Sequence, residues 1–340
     1  VGSVTSDQYA SIAADTDGLI IDGVSTLGGL TIGADGGYIT NSASDAGSRV
    51  RFEIDSGDFE INGPVTIYGY DVTVADSGST SRFGTQSGNI LLKAGNNISL
   101  DGRVRANSST LTLDAGGTVT QTAALTADNL ALSGTGDFTL TNSGNNVATL
   151  AGGSSGTPLG GVQYLDADGL TVGAVNPTGL TSSGDIFVAT AAGDLTISEA
   201  VETASTTATA IVFAAGTDAS AGGSGEPSTG NIVISGSPSL SAGDGGTIAL
   251  YSGDVSGSTG LTELVGSDSG NFRYNTSIDA SGTVTAGYTT ALASDTPNAL
   301  YREQPTVEGD ASFDEASIVY GEDLPGTSSS GISGLVNGDT

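Results

Sequence analysis

Short apolar runs of four to six residues recur along most of this chain, and this repetition limits the folds that the chain can adopt. Residues 126–150 contain three such runs, NLAL, FTLT and VATL, separated by Gly, Ser and Asn. Runs of this length with alternating apolar residues are typical of β-strands, and the residues between them are those that turns require. We therefore predict an almost all-β fold built from many short strands.

The spacing of the runs separates two architectures: an antiparallel sandwich or barrel, and a parallel β-helix with three short strands in each coil. The runs NILLK, TLTL and NLAL begin at positions 89, 110 and 129. Their period of roughly twenty residues suits one β-helix coil, whereas hairpin signals such as Asn62-Gly63 and Asn337-Gly338 are sparse. We predict a right-handed parallel β-helix of roughly fourteen coils, on the order of 65 Å long at about 4.8 Å per coil.

The predicted domain organisation is a β-helix over 1–300 and an extended tail or partial small β module over 301–340. Within the β-helix we distinguish N-terminal coils and a cap at 1–84, regular coils at 85–275 and a closing region at 276–300. A single coil cannot bury its small apolar face, whereas a stack of coils buries a continuous one. The predicted interior of two layers comprises Leu130, Leu132, Phe138, Leu140, Val147 and Leu150.

Composition excludes several function classes. The chain has no Cys and no His, which excludes Ser-His-Asp catalysis, Cys-His catalysis and thiolate metal sites. A formal net charge of −30, from 38 acidic against 8 basic residues, disfavours binding to nucleic acid and to anionic membranes. No apolar run approaches the eighteen or so residues of a membrane span. Because the chain begins with Val and shows no signal peptide, we expect either a trimmed mature protein or an excerpt of a longer precursor.

Two groups of polar residues are candidates for a binding site. Paired Asn residues occur in GNNISL (95–100) and GNNVATL (144–150), at what we take to be the same place in a coil. We interpret them as a corner ladder in which Asn bonds its neighbours and tolerates left-handed backbone, rather than as a ligand site. Acidic turns offer the oxygen ligands that Ca²⁺ needs, although solvated turn carboxylates are the favoured interpretation; these turns are 44–48, 165–169, 242–246 and 266–270.

The candidate catalytic residues are few. Asp166 and Asp168 are two residues apart and could share one face of a strand, as the carboxylate pair of a polysaccharide-cleaving β-helix would. A lyase would also need Lys or Arg to stabilise an enolate-like charge. The arginine pairs at i and i+2 are instead expected to pair with acids on the outer face; they are Arg49 with Arg51 and Arg103 with Arg105. We assign no catalytic, cofactor-binding or metal-binding residue and predict a non-enzymatic protein.

Aromatic residues concentrate near the two ends of the predicted rod. A solenoid needs its open ends covered, because exposed edges recruit other chains. We therefore expect these residues to act as caps and core fillers before any role in ligand binding; they are Tyr68, Tyr70, Phe272, Tyr274 and Tyr288.

Three passages, and the chain's last residues, carry a resemblance to a known family. They are TLTLDAGGTVTQTAALTADNLALSGTGDFTLTNSGNNVATLAG (110–152), GNIVISGSPSLSAGDGGTIALYSGDVSGSTGLTELVGSDSGNFRYN (230–275), LYREQPTV (300–307) and ASIVYGEDLPG…GISGLVNGDT (316–340). Together they resemble filamentous-haemagglutinin-like bacterial exoproteins, adhesins exported by two-partner secretion or autotransporter-type routes. The resemblance covers 85–340, lacks the family's N-terminal secretion domain and stops early in a small β repeat module. It implies an extracellular location at the bacterial cell surface.

The predicted function is structural and adhesive. The chain is either a rod segment of a surface adhesin that binds a host or matrix glycan or protein, or a subunit that assembles end to end into an extracellular filament. In the second case residues 303–340 would be donated as a strand to the next copy. Both roles fit cell adhesion and biofilm. The alternative is a polysaccharide-binding or polysaccharide-degrading β-helix.

Overall fold

The computed structural model of the chain describes residues 64–75, 82–85, 87–222 and 230–305 with their side chains. It also describes the backbone at 76 and 86 and of the strands at 11–15, 18–22, 30–33, 49–54, 59–62, 308–313 and 327–333. About half of the chain is strand and about 2% is helix. The predicted all-β composition is confirmed.

Two large sheets with parallel strands wind around one interior. The first sheet has eleven strands, and from β4 to β25 consecutive strands along it belong to successive coils. In spatial order its strands are β4 (Arg49–Ile54), β7 (Asp71–Asp76), β10 (Ile98–Leu100), β12 (Val119–Gln121), β14 (Phe138–Leu140), β16 (Val162–Asp166), β19 (Ile186–Thr190), β22 (Ile211–Ala214), β25 (Ile248–Ser252), β29 (Pro297–Tyr301) and β26 (Phe272–Arg273).

The second sheet has fourteen strands and forms the other two sides of each coil. Its main path is β3 (Leu30–Gly33), β6 (Val65–Gly69), β9 (Ile90–Ala94), β11 (Arg103–Ala115), β13 (Leu125–Ser133), β15 (Asn146–Gly152), β17 (Leu170–Val172), β20 (Leu195–Ile197) and β23 (Ile232–Ile234). Its side branches are β5 (Phe59–Asn62), β8 (Arg82–Ser87), β18 (Leu180–Ser182), β21 (Val201–Thr203) and β24 (Leu240–Ser241).

The remaining elements lie outside these two sheets. Three antiparallel pairs are β1 (Ser11–Asp15) with β2 (Gly18–Asp22), β27 (Ser277–Ile278) with β28 (Val284–Ala286), and β30 (Glu308–Phe313) with β31 (Thr327–Ser333). One helix, α1 (Leu261–Val265), follows β25. The tail beyond β29 therefore contains one antiparallel pair in the part where we predicted an extended or incomplete small β module.

The coils form a parallel β-helix of about nine turns. The register partners on the inner face of the second sheet recur near the predicted period over five strands; they are Ile90, Leu111, Leu130, Leu150 and Val172. The next partners in the same column are Ile197 and Ile234, and the interval in sequence lengthens at each of these two steps. The predicted fourteen coils are therefore wrong, because later coils carry long excursions. At about 4.8 Å per coil the stack rises on the order of 40 Å.

One apolar cluster runs through the interior from Val65 to Tyr301. The six residues predicted to line two layers, from Leu130 to Leu150, are all 0–1% exposed, which confirms that prediction. Each fully buried aliphatic or aromatic side chain contributes about 1.5–3 kcal/mol relative to an exposed one. Every coil depends on its neighbours for this burial, so stability accumulates only through stacking.

The outer face of the eleven-stranded sheet changes character along the rod. A polar column on β7 to β14 is replaced from β19 onward by an apolar column, with both columns in register from coil to coil. Residues 276–296, here called the strap, include β27 and β28 and lie over the apolar part. The polar column is Thr73, Ser99, Thr120 and Thr139; the apolar column is Phe187, Val212 and Ala249.

The strap creates a second apolar cluster outside the solenoid. Ile278 of the strap is 6% exposed, and Tyr288 and Leu292 pack against the same cluster. On the solenoid side the cluster contains residues such as Val212 and Leu300. Strands β22 and β25 are consequently buried on both faces, which explains why they lack the alternation of the earlier strands.

Different structural elements cover the two ends of the rod. At the C-terminal end, Leu261 and Val265 of α1 are buried, and the rings of Tyr274 and Tyr301 stack at 5.7 Å. At the N-terminal end, the β1–β2 pair lies beside β4. Open sheet edges recruit other strands, so covered ends oppose uncontrolled stacking of one rod on another.

Close stacking of the coils requires glycine at one corner in particular. Gly134 has φ +86°, and a Cβ there would lie 2.1 Å from the carbonyl oxygen of Ala115 in the preceding coil. We expect Gly134→Ala to cost about 3 kcal/mol or more, from left-handed strain plus overlap. Gly236 has φ +77° and open space around it, so Gly236→Ala should show the strain alone, at about 1–2 kcal/mol. Urea unfolding of both variants measures the difference, and equal losses would contradict close stacking.

Candidate functional site

Four polar side chains lie at one corner of the solenoid, where each coil passes from the eleven-stranded sheet to the fourteen-stranded sheet. Gln121 ends β12, Asn145 precedes β15, and Tyr164 and Asp166 lie on β16. These four residues, here called the corner network, belong to three successive coils. Backbone groups leave the sheet ladder at such a corner and need other partners when they are buried.

Asn145 is the centre of the corner network and is 0% exposed. Its Nδ2 lies 2.8 Å from Oε1 of Gln121 and 3.1 Å from the carbonyl oxygens of Leu140 and Leu165. Its Oδ1 accepts from Nε2 of Gln121 at 2.8 Å and from the backbone N–H of Leu125 at 3.0 Å. One amide therefore joins the coil before it to the coil after it.

Asp166 is a fully buried carboxylate beside this amide. Oδ2 accepts from the hydroxyl of Tyr164 at 2.7 Å and from the backbone N–H of Val147 at 2.9 Å, and Oδ1 accepts from the backbone N–H of Asp168 at 3.1 Å. Burial raises the pKa of Asp166 to about 6, although these three hydrogen bonds lower it. Burial, and then the neighbouring carboxylate, raise the pKa of Tyr164.

The raised pKa of Asp166 predicts that acidification stabilises this corner. The folded state binds the proton at about pH 6 and the unfolded chain only near pH 4, so stability increases as the pH falls through that window. A shift of about two pKa units corresponds to about 3 kcal/mol. We expect the stability difference between the wild type and Asp166→Asn to change by about this amount between pH 7 and pH 4, as measured by urea unfolding. A difference that does not depend on pH would contradict the assignment.

The two Asn pairs occupy different corners, so the prediction that they share one place in a coil is wrong. Asn96 and Asn97 precede β10 of the eleven-stranded sheet, where Asp71 accepts from Nδ2 of Asn96 at 2.9 Å. Asn145 and Asn146 lead into β15 of the fourteen-stranded sheet. The predicted bonding to neighbours is confirmed, but none of the four has a positive φ, so the predicted left-handed backbone is wrong.

Asp166 and Asp168 do not form a carboxylate pair on one face of a strand. Asp166 points into the solenoid and Asp168 lies in the following turn, exposed, where its Oδ2 accepts from Nδ2 of Asn146 at 2.9 Å. The prediction that both acids share a face is wrong because β16 ends at Asp166. A buried carboxylate with three donors cannot contact a polysaccharide chain.

The acidic turns lie in different surroundings. Turn 266–270 is mostly exposed, and its Asp268 has a φ of 60°, whereas in turn 242–246 only Asp244 and Gly245 are exposed. Turn 44–48 lies outside the described residues. In the part of the chain that the structure describes, no group of three or more Asp, Glu, His or Cys side chains could hold a metal ion.

The arginine pairs and the aromatic residues are placed as follows. Arg103 and Arg105 both face outward on β11, where Arg105 donates to Oδ1 of Asn107 at 3.2 Å. Arg49 and Arg51 lie on β4, whose side chains are outside the described part. Phe272 and Tyr274 do cap the rod. The prediction is wrong for the other three aromatic residues. Tyr68 and Tyr70 are only partly buried and lie outside the apolar core, and Tyr288 packs on the side of the rod.

The outer face of the fourteen-stranded sheet carries an uncharged ladder that sequence reasoning missed. Its members are in register in successive coils and are half-buried: Thr110, Asn129, Thr149, Thr171 and Thr196. The signal was the polar residue that directly precedes an apolar residue of each short run, because it recurs near the coil period. Carboxylates lie mainly in the turns, so this ladder is a neutral strip on an acidic molecule.

The fold therefore defines the chain as a parallel β-helical repeat protein. No family model matches the chain, and neither does any curated protein or solved structure. Among the described residues, no helix is both long enough and apolar enough to pass through a membrane.

Proposed function

We propose that the chain is a non-enzymatic rod segment of a bacterial surface exoprotein, with a structural and adhesive role outside the cell. The observation that carries this proposal is the single apolar cluster that continues through the stacked coils. A continuous core between successive in-register coils gives a stiff body whose length is set by the number of coils. The resemblance of residues 110–152 and 230–275 to filamentous-haemagglutinin-like exoproteins supports the location.

The surface suits an extended exposed protein. A net charge of −30 keeps the chain soluble and repels other copies. The neutral ladder from Thr110 to Thr196 offers a regular row of hydroxyl and amide groups, which could contact a glycan or a protein of the matrix. The absence of Cys, Met and Trp removes the residues most sensitive to oxidation.

Between a rod segment and a self-assembling filament subunit, the covered ends favour the rod segment. Helix α1 packs on β23 and β29 and covers the last coil. Direct stacking of one copy on this end would require α1 to leave. Filament growth is therefore proposed only through the tail, with residues 303–340 docking on another copy.

Negative-stain electron microscopy and mass photometry of the purified chain test this proposal, together with adhesion of chain-coated beads to host and matrix glycans. We expect single short rods in the micrographs. Beads coated with the folded chain should adhere, whereas beads coated with the heat-unfolded chain should not. Fibres that disappear on deletion of 303–340 would establish the filament role instead. Release of new reducing ends or unsaturated sugars from acidic glycans would contradict a non-enzymatic role.

A further inference from the structure

The last strand of the solenoid does not lie at the end of its sheet. β29 is placed between β25 and β26, although β26 precedes it in the sequence. The five residues of β29 pair with 248–252 of β25, and Ala299 and Leu300 pair with β26 on the opposite side. The segment that leads to the C-terminal tail is thus inserted between two strands that come earlier in the chain.

Backbone bonding on both sides continues past the strand. On the β25 side, the N–H groups of Arg302 and Glu303 donate to the carbonyls of Ser252 and Gly253, both at 3.0 Å. On the β26 side, Ala299 N–H donates to the Asn271 carbonyl at 3.0 Å, and the carbonyls of Tyr301 and Glu303 accept from Thr276 and Asn275. The β25 side therefore holds residues 297–303, and the β26 side holds residues 299–303 of the same stretch.

The remaining two sides of β29 are closed as well. Ala299 and Tyr301 face the core and are 0% exposed. On the outer side, Nδ2 of Asn298 donates to the carbonyls of Ala293 and Thr296 in the strap, at 2.8 and 3.1 Å. The strap thus blocks the lateral route by which an edge strand would peel away.

We propose that β26 is a mechanical latch, which locks the chain after residue 301 to the rod when the tail is pulled. The strand hydrogen bonds of a β-helix run along the rod axis, so tension away from the rod draws β29 toward β26. β29 can leave in that direction only if β26 is displaced first. This inference rests on the proposed function, because a surface rod carries load between its ends.

Pulling single molecules of the full chain in magnetic tweezers tests the latch. The chain has no cysteine, so handles attach specifically through Thr139→Cys on an outer face and Gln304→Cys just after β29, both exposed positions. If the latch holds, the first opening releases the chain from about residue 253 onward, roughly 50 residues or up to about 170 Å at 3.3–3.6 Å per residue. If β29 slips out alone, release begins at about residue 274, with roughly 30 residues or about 100 Å.

Two substitutions at one position supply the matched control. Arg273→Pro removes the backbone N–H that faces the Ala299 carbonyl in this register, so it should lower the opening force and produce the short step. Arg273→Ala keeps that N–H and removes only the guanidinium bonds, which reach the carbonyls of Thr290 and Ala291 in the strap and those of Gly270 and Phe272, so the long step should persist. A short first step in the unsubstituted chain would overturn the latch. Step lengths do not depend on adhesion, so they remain decisive even if the proposed function fails.

Discussion

Asn145→Asp should destabilise the protein by about 4 kcal/mol or more at pH 7, although the two side chains have the same shape and differ only by an NH₂ group in place of an oxygen atom. The substitution removes both amide hydrogens and places a carboxylate within about 3 Å of the carbonyl oxygens of Leu140 and Leu165. Gln121 can turn its amide to donate to the new carboxylate, but backbone carbonyls cannot turn. A buried charge facing acceptors costs several kcal/mol. Urea unfolding measures the loss, and it should diminish as the pH falls and the new acid takes up a proton.

Asn146→Asp is the matched control, at the next residue, where β15 begins. Asn146 is exposed, and among the described residues its amide bonds the exposed Asp168. Placing two carboxylates together in solvent should cost less than about 1 kcal/mol. Losses of equal size at the two positions would show that the corner network does not hold the coils together.

Arg302→Met should cost about 3–5 kcal/mol, with the loss confined to the C-terminal coils. The Arg302 side chain is buried, and its guanidinium donates to the carbonyls of Ala215 at 2.5 Å and Gly230 at 2.7 Å. Methionine fills a similar volume but leaves both carbonyls without these charged donors, each worth about 1.5–3 kcal/mol. Burial lowers the pKa of Arg302 to about 10, so the guanidinium stays charged at neutral pH.

Hydrogen exchange locates this loss along the rod. Coils of a solenoid contact only their neighbours, so opening at one end leaves distant coils closed. Amides of β22, β25 and β29 should lose protection in Arg302→Met, whereas those of β9 to β15 should keep it. Arg103→Met, at an exposed position on β11, should leave both regions unchanged. Uniform loss along the chain would refute the local role of Arg302.

Most strands could be predicted because each buries one face and so alternates. NILLK at 89–93 matches β9 to within one residue, and VTIYGYDVTV at 65–74 contains β6 and the first part of β7. β18 and β21 were missed because each has a single apolar residue at its first position. β29 was missed because it begins with Pro and is buried on both faces, which removes alternation.

The corner network could be predicted only in part. Val162, Tyr164 and Asp166 recur at every second position of β16, so alternation alone places the carboxylate inside. The role of Asn145 could not be predicted, because the same Gly-Asn-Asn sequence that precedes β15 also precedes β10, at another corner. Which corner a phrase occupies depends on the lengths of all preceding turns, and those lengths are not periodic.

The strap was hidden for a different reason. Its apolar residues, Ile278, Tyr288 and Leu292, are isolated in sequence and show no period. Their partners gave a signal, since AIVFAA at 210–215 and TIALY at 247–251 do not alternate as one-sided strands do. The sequence therefore indicates that both faces of these two strands are buried, but it does not identify the segment that covers the outer face.

The change from a polar to an apolar outer column also decides where the protein can vary in length. Coils from β7 to β14 present equivalent residues inside and outside, so duplication or loss of one coil there would leave every neighbour with a suitable partner. Coils from β19 onward each match a particular part of the strap. A coil added among them would shift that match by about 4.8 Å and leave apolar surface uncovered. Gain or loss of whole coils in evolution should therefore be confined to the half of the rod that precedes β16.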